Sequence, residues 1–154
     1  MPRIERTAKI EWTGNVARGA GTISAGSSGA FTALPYSLAT RLGKAEGKTS
    51  PEELLAAAHG GCFTMSLASE LSALGFDADR LDVSCLIVMD EVEGSGHQIV
   101  GSELTVRADV PGIGEAAFAE AVTKGDEECP FSSLLKRAGA TVVIEAKLDA
   151  SAGT

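Results

Sequence analysis

The chain has 154 residues, a net charge of -8 and an aromatic content of 5%, and that length suits one domain able to bury roughly 70% of its unfolded surface. The acidic balance argues against nucleic acid or an anionic membrane as partner, and so few aromatic residues leave little stacking surface for bases. Three cysteines without the paired spacing of a zinc site, and no charged-then-apolar leader, lead to the expectation of a reducing, cytoplasmic compartment in which any disulfide is transient.

In chain order, Ala8 to Trp12, Gly21 to Ala25 and Ala30 to Leu34 alternate apolar and polar residues. With Gly14-Asn15 and Gly26 to Gly29 as turns, they predict a three-stranded antiparallel sheet. Pro35 to Thr49 reads as a polar connection that carries Arg41. Ser50 is a good N-cap, Pro51 suits the first helical position, and Glu53 stands where it completes a capping box. From Leu54 to Ser69 there is no formal charge, so the helix is predicted to be buried on every face. It is too short and too polar to span a membrane. Gly75 is the predicted stop, and Gly60-Gly61 would let something bulky approach the backbone.

Leu81 to Val92 and Gln98 to Val110 predict two strands around a turn at 93–97. In the second, Leu104, Val106, Ala108 and Val110 share the core face. Helices are predicted over Glu115 to Glu128 and Pro130 to Arg137, a last strand over Thr141 to Leu148, and a loose tail from Ala150 to Thr154. This order belongs to the α+β class, in a single domain spanning residues 1–154. An all-round apolar helix needs more cover than so few elements supply, and pairing across a two-fold axis would provide it. A homodimer is therefore expected.

Two cysteines suggest chemistry. Cys62 lies inside the apolar helix, where the bland reading is a small inert hydrophobe. Cys129 precedes Pro130 at a helix start, where free N–H groups and the helix dipole favour a thiolate, although a mere capping role is the alternative. Cys85, alternating with Val83, Ile87 and Met89, reads as core. His59 and Cys62 share one helical face but make too few local ligands for a metal site; His59 reads instead as a buried, hydrogen-bonded histidine.

Thr49-Ser50-Pro51-Glu52-Glu53-Leu54, Ala57-Ala58-His59-Gly60-Gly61-Cys62-Phe63, Val110-Pro111-Gly112-Ile113 and Glu128-Cys129-Pro130-Phe131-Ser132 resemble the OsmC/Ohr family of thiol-dependent hydroperoxide reductases. The resemblance runs from Trp12 to Leu148 and includes Tyr36 and Thr40-Arg41, typical of the OsmC branch. It implies an intertwined α+β homodimer, with antiparallel sheets around a long buried central helix and active sites at the subunit interface. It makes Cys62 the peroxidatic and Cys129 the resolving cysteine, with Glu52 in the family's glutamate place. For the arginine, the OsmC branch points to Arg41 and the Ohr branch to Arg18; Arg41 is preferred.

The implied reaction is reduction of organic hydroperoxides with no bound cofactor, followed by re-reduction by an external dithiol such as dihydrolipoamide or a lipoylated protein. A non-enzymatic dimeric stress protein that binds an apolar small molecule is the alternative. Independently of the family, ten residues of continuous helix would separate Glu52 from Cys62 by about 15 Å. A glutamate that serves a cysteine site should then serve that of the partner subunit.

Overall fold

A computed structural model describes residues 2–149; the tail from Ala150 to Thr154 lies outside them. Contacts divide the chain into two compact units, one ending at Leu54 and the other beginning at Leu55.

In the first unit, β1 (Ala8–Thr13), β2 (Ala20–Ala25) and β3 (Leu34–Tyr36) form an antiparallel sheet in that order. Gly21 of β2 pairs with Trp12 on one side and Tyr36 on the other. A Cβ there would fall 2.6 Å from the Tyr36 ring and 2.8 Å from that of Trp12. Glycine therefore leaves room for the two rings to meet, centroids 5.4 Å apart. The third strand lies later than the alternation at Ala30 to Leu34 predicts. Ala33 has φ 54°, a left-handed conformation that interrupts an extended run, and its N–H donates to Ser24 Oγ at 2.9 Å.

The connection predicted over Pro35 to Thr49 instead holds the end of β3 and a short helix, α1 (Leu38–Leu42). Ser37 caps α1, its Oγ accepting from the Thr40 N–H at 3.2 Å. Helix α2 (Pro51–Ala73) starts after Ser50, and the Ser50 Oγ accepts from the Glu53 N–H at 3.1 Å. Only this half of the capping box forms. The Glu53 carboxylate turns outward to accept from Thr49 Oγ1 at 2.8 Å.

In the second unit, β4 (Arg80–Val92) and β5 (Gly96–Asp109) form a long antiparallel hairpin, and β6 (Thr141–Leu148) lies beside β5. The expectation of wholly antiparallel sheets fails here, because β6 runs parallel to β5. Between them come α3 (Glu115–Glu128) and α4 (Pro130–Arg137), a crossover of the length that parallel neighbours require. The predicted core face of β5 is observed: Leu104, Val106, Ala108 and Val110 pack with Phe63, Leu67 and Leu71 of α2 and with Phe118 and Ala121 of α3.

Helix α2 ends as predicted. Gly75 has φ 83°, its N–H donates to the Ser72 carbonyl at 3.0 Å, and the Phe76 N–H reaches back to the Leu71 carbonyl at 3.0 Å. These two bonds form a Schellman motif, which satisfies carbonyls that the helix end leaves open. The predicted burial on every face is not observed within the chain. Phe63, Leu67 and Leu71 are fully buried, a stripe at i, i+4 spacing. On the other side Ala58, Gly61, Met65 and Ala68 are exposed. The elements of one chain cover a stripe of α2 and leave the opposite one open.

Close approach of α3 to α2 depends on Gly125, where a Cβ would lie 3.1 Å from Leu67 Cα and 3.2 Å from Leu67 N. Both neighbours are backbone atoms and cannot rotate away. Gly125→Ala should gain about 1 kcal/mol of helix propensity but lose more, about 1–3 kcal/mol, to overpacking. The expected net result is a lower Tm by circular dichroism; a Tm equal to or above wild type would count against this tight contact.

Candidate active site

Cys62 sits on the covered side of α2, packed against the core cluster that contains fully buried Cys129. Cys129 follows α3 and caps α4 with extended backbone (φ -76°, ψ 112°). Its Sγ accepts from the Ser132 N–H at 3.5 Å. Pro130 at the first helical position of α4 has no N–H to satisfy and presets the helical φ, so Cys-Pro is a locally stable way to begin a helix. Both cysteines are free thiols, and Cys62 packs against the cluster that holds Cys129.

Burial pushes the Cys62 thiol above the ordinary thiol range, and the neighbouring Cys129 thiol adds to the rise. The Phe131 backbone N–H, in the first turn of α4, acts in the opposite direction by hydrogen bonding to the Cys62 side chain. None of these three influences carries positive charge. The Cys62 thiolate is thus opposed by desolvation and favoured by the start of a helix.

One turn before Cys62, His59 is fully buried. Its Nδ1 lies 2.8 Å from Ser102 Oγ on β5 and its Nε2 lies 2.8 Å from Ser132 Oγ on α4. Burial lowers the His59 pKa; Asp126 acts to raise it and Lys136 to lower it. The predicted role as a buried, hydrogen-bonded histidine is observed. Its serine partners were not singled out from sequence, although both left a trace. Ser102 stands two before Leu104 on the core-facing side of β5, and Ser132 is the third residue of α4, facing the same way as its cap. Cys85, predicted as core, is half-buried, with Sγ 3.4 Å from Ser102 Oγ and 3.9 Å from His59 Nδ1.

In the first unit, Arg41 ends α1 and Glu52 occupies the first turn of α2. The Arg41 Nε donates to both carboxylate oxygens at 3.1 and 3.0 Å, and Nη2 also donates to Oε1. This fork holds the Glu52 carboxyl below the usual carboxylate range against the opposing effect of burial, and it raises Arg41 in turn. The pair is mostly shielded, with side chains 33% and 18% exposed. A cavity of about 250 Å³ opens beside it, lined by Trp12, Val16, Tyr36, Leu38, Pro51 and Arg41 among others. Arg18 lies in the turn between β1 and β2, exposed, with its backbone N–H bonded to Asn15 Oδ1 at 3.0 Å. The structure thus brings together two sets of the predicted residues, Cys62 with Cys129 and Arg41 with Glu52, and gives Glu53 a separate place at the helix cap.

Both the sequence and the fold have known relatives. The sequence profile of the OsmC-like protein family matches residues 43–145. Peroxiredoxin OsmC of Escherichia coli strain K12 is 35% identical over 133 residues, covering 86% of this chain and 91% of that protein. Among solved structures, the organic hydroperoxide resistance protein OhrB of Bacillus subtilis aligns over 92% of this chain and 98% of its own, with 24% identity and a TM-score of 0.69. An OsmC-like protein of Vibrio cholerae aligns over 94% of this chain and 100% of its own, with 13% identity and a TM-score of 0.75. The two small sheets and four helices are thus a fold shared with both solved proteins, and by sequence this chain belongs to the OsmC-like family.

Proposed function

We propose that the protein is a thiol-dependent peroxidase that reduces organic hydroperoxides to alcohols. The observation that carries this reading is the packing of two free thiols, Cys62 and Cys129, in one core cluster, with Cys129 at the start of α4. The names peroxiredoxin and organic hydroperoxide resistance protein borne by the relatives support it. In the first step the Cys62 thiolate attacks one peroxide oxygen. The O–O bond breaks with its electron pair, an S–O bond forms, and the alkoxide takes a proton and leaves as alcohol. Cys62 is then a sulfenic acid. The Cys129 sulfur next attacks the Cys62 sulfur; the S–O bond breaks, the disulfide forms, and water leaves with the Cys129 proton. An external dithiol of the dihydrolipoamide type, free or on a lipoylated protein, returns both thiols by exchange and becomes a disulfide itself. No bound cofactor is required.

The cation that this chemistry needs is assigned to Arg41. A guanidinium favours the thiolate and offers donors to peroxide oxygens, and the forked bond from Arg41 to Glu52 would fix its direction. The apolar cavity beside Arg41 suits the hydrocarbon part of a hydroperoxide. Glu52 precedes Cys62 by ten positions on an unbroken helix, which separates them by about 15 Å at the α-helical rise. We therefore place Arg41 and Glu52 at the cysteines of a second copy, in a homodimer that closes over the open stripe of α2. The exposed, apolar residues of that stripe, Met65 at 70% exposure among them, favour such cover. On this reading the two units act as one domain of a cytoplasmic enzyme. Among the described residues, no helix is long and apolar enough to cross a membrane.

Cys62→Ser should abolish peroxide turnover. Cys129→Ser should retain the first reduction but stop recycling or permit over-oxidation. After one equivalent of hydroperoxide, mass spectrometry of the wild type should find a disulfide between Cys62 and Cys129; a bond to Cys85, or activity without Cys62, would overturn the assignment.

Glu52→Gln should slow peroxide reduction, because it removes the charge that orients Arg41. Glu53→Gln should behave almost as wild type in turnover and Tm, since the Ser50 cap acts on the Glu53 backbone and a glutamine carbonyl can still accept from Thr49. Equal catalytic losses in two folded variants would argue against this division of roles.

The two-chain site is tested with mixed dimers of Cys62→Ser and Arg41→Ala subunits, isolated with two tags. Each parent should be inactive, and the heterodimer should recover about one working site of the two. A heterodimer as inactive as its parents would place Arg41 at the cysteines of its own subunit, whereas an active Arg41→Ala parent would open the role to Arg18, which Arg18→Ala in the same format would test.

A further inference from the structure

The reaction above leaves His59 without a chemical task, although it is fully buried one turn from Cys62. Both ring nitrogens are engaged, Nδ1 with Ser102 Oγ and Nε2 with Ser132 Oγ, each at 2.8 Å. A neutral imidazole has one donor and one acceptor nitrogen, and two hydroxyls that can each donate or accept satisfy both. The two contacts differ in what they hold. Ser102 belongs to β5, at the centre of the second sheet. Ser132 belongs to the first turn of α4, and its own N–H bonds to the Cys129 sulfur. Cys62 in turn packs against the cluster that holds Cys129.

We propose that His59 is a positioning residue: through Nε2 and Ser132 it fixes the first turn of α4 to α2, so that Cys129 stays in bonding register with Cys62. Ser102 holds the ring from its other side. The proposal rests on the reading of Cys62 and Cys129 as a redox pair and goes beyond it by naming what sets their geometry. A side chain that fixes a reactive group through a buried hydrogen bond acts on the effective concentration of that group. Here the group is the Cys129 thiol as seen by Cys62.

The two ring nitrogens can be removed one at a time. The terminal atoms of asparagine reach the depth of Nδ1, so His59→Asn keeps a bond to Ser102 and loses that to Ser132. Glutamine reaches the depth of Nε2, so His59→Gln does the reverse. Ser132→Ala and Ser102→Ala make the same two cuts from the other side. All four are equilibrated with reduced and oxidised dithiothreitol, a readout independent of any peroxide. Two S–H bonds of Cys62 and Cys129 are lost, the S–S bond forms, and two electrons and two protons pass to the dithiothreitol disulfide. The fraction oxidised is read by thiol alkylation and mass spectrometry, with folding checked by circular dichroism.

His59→Asn and Ser132→Ala should shift the equilibrium toward the dithiol by about tenfold or more. His59→Gln and Ser102→Ala should stay within about threefold of wild type. If the histidine variants do not fold, the comparison of Ser132→Ala with Ser102→Ala decides, since the two lose similar buried hydroxyls. An equal shift in both serine variants, or none in Ser132→Ala, would overturn the proposal and leave only a structural role for His59. Failure to reduce hydroperoxides, with the equilibria ordered as stated, would sink the peroxidase reading and leave this one standing.

Discussion

The paired hydrogen bonds of His59 are the interaction on which the cysteine site depends. A buried imidazole without partners costs about 1–3 kcal/mol for each unsatisfied group, so the fold must bring a polar atom to each nitrogen. It does so from two different elements, β5 and α4. The same requirement that stabilises the core thus determines where α4 begins relative to α2. Because α4 begins at Cys129, the position of the second sulfur follows from the hydrogen-bonding needs of a residue that is itself not a thiol.

A second constraint is the opposition between burial and ionisation at Cys62. Packing the thiol with the core raises its pKa, and the Phe131 backbone N–H in the first turn of α4 lowers it. A buried anion stabilised by a helix start alone is a compromise. A dipole effect of typically 0.3–1 kcal/mol, and about 2 kcal/mol in favourable partly buried geometries, is smaller than full desolvation of a charge. This imbalance is the physical reason that a guanidinium belongs in the proposed reaction. It also gives meaning to the forked Arg41 to Glu52 pair, which holds a cation in one direction at the edge of an apolar cavity.

Helix α2 shows how one sequence pattern serves two purposes. Its uncharged run has apolar or small residues on every face, yet within one chain only the stripe through Phe63, Leu67 and Leu71 is covered. Glycines sit on both sides of the question. Gly125 of α3 is required by the close approach to the covered stripe, whereas among the described residues a Cβ on Gly61 would meet nothing within 4 Å. The uncovered stripe carries Gly61 and Met65, a small residue and an adaptable apolar one, a combination suited to close packing of a second helix.

The local elements were legible in the sequence because their signals are local. The cap at Ser50, the stop at Gly75, the start of α4 at Cys129-Pro130 and the alternating core face of β5 each depend on residues within about one turn or a few strand positions. The placing of Cys129 at a helix start, of His59 in the core and of Glu53 beside the Ser50 cap followed from the same kind of reasoning, whereas the place of Glu52 came from the family resemblance. Ala33 shows its limit: an alternating run predicted a strand, and a single left-handed residue stopped it. The carboxylate of Glu53 shows another, since it accepts from Thr49 Oγ1 where the capping box predicts the cap N–H. What only the tertiary structure decided is everything that joins distant segments: the parallel pairing of β6 with β5, the meeting of Cys62 with Cys129, and the serines that hold His59. Those contacts bridge tens of residues, and no periodicity encodes them. They arise because the core can be filled, and its buried polar atoms satisfied, in one arrangement of elements that the sequence specifies individually.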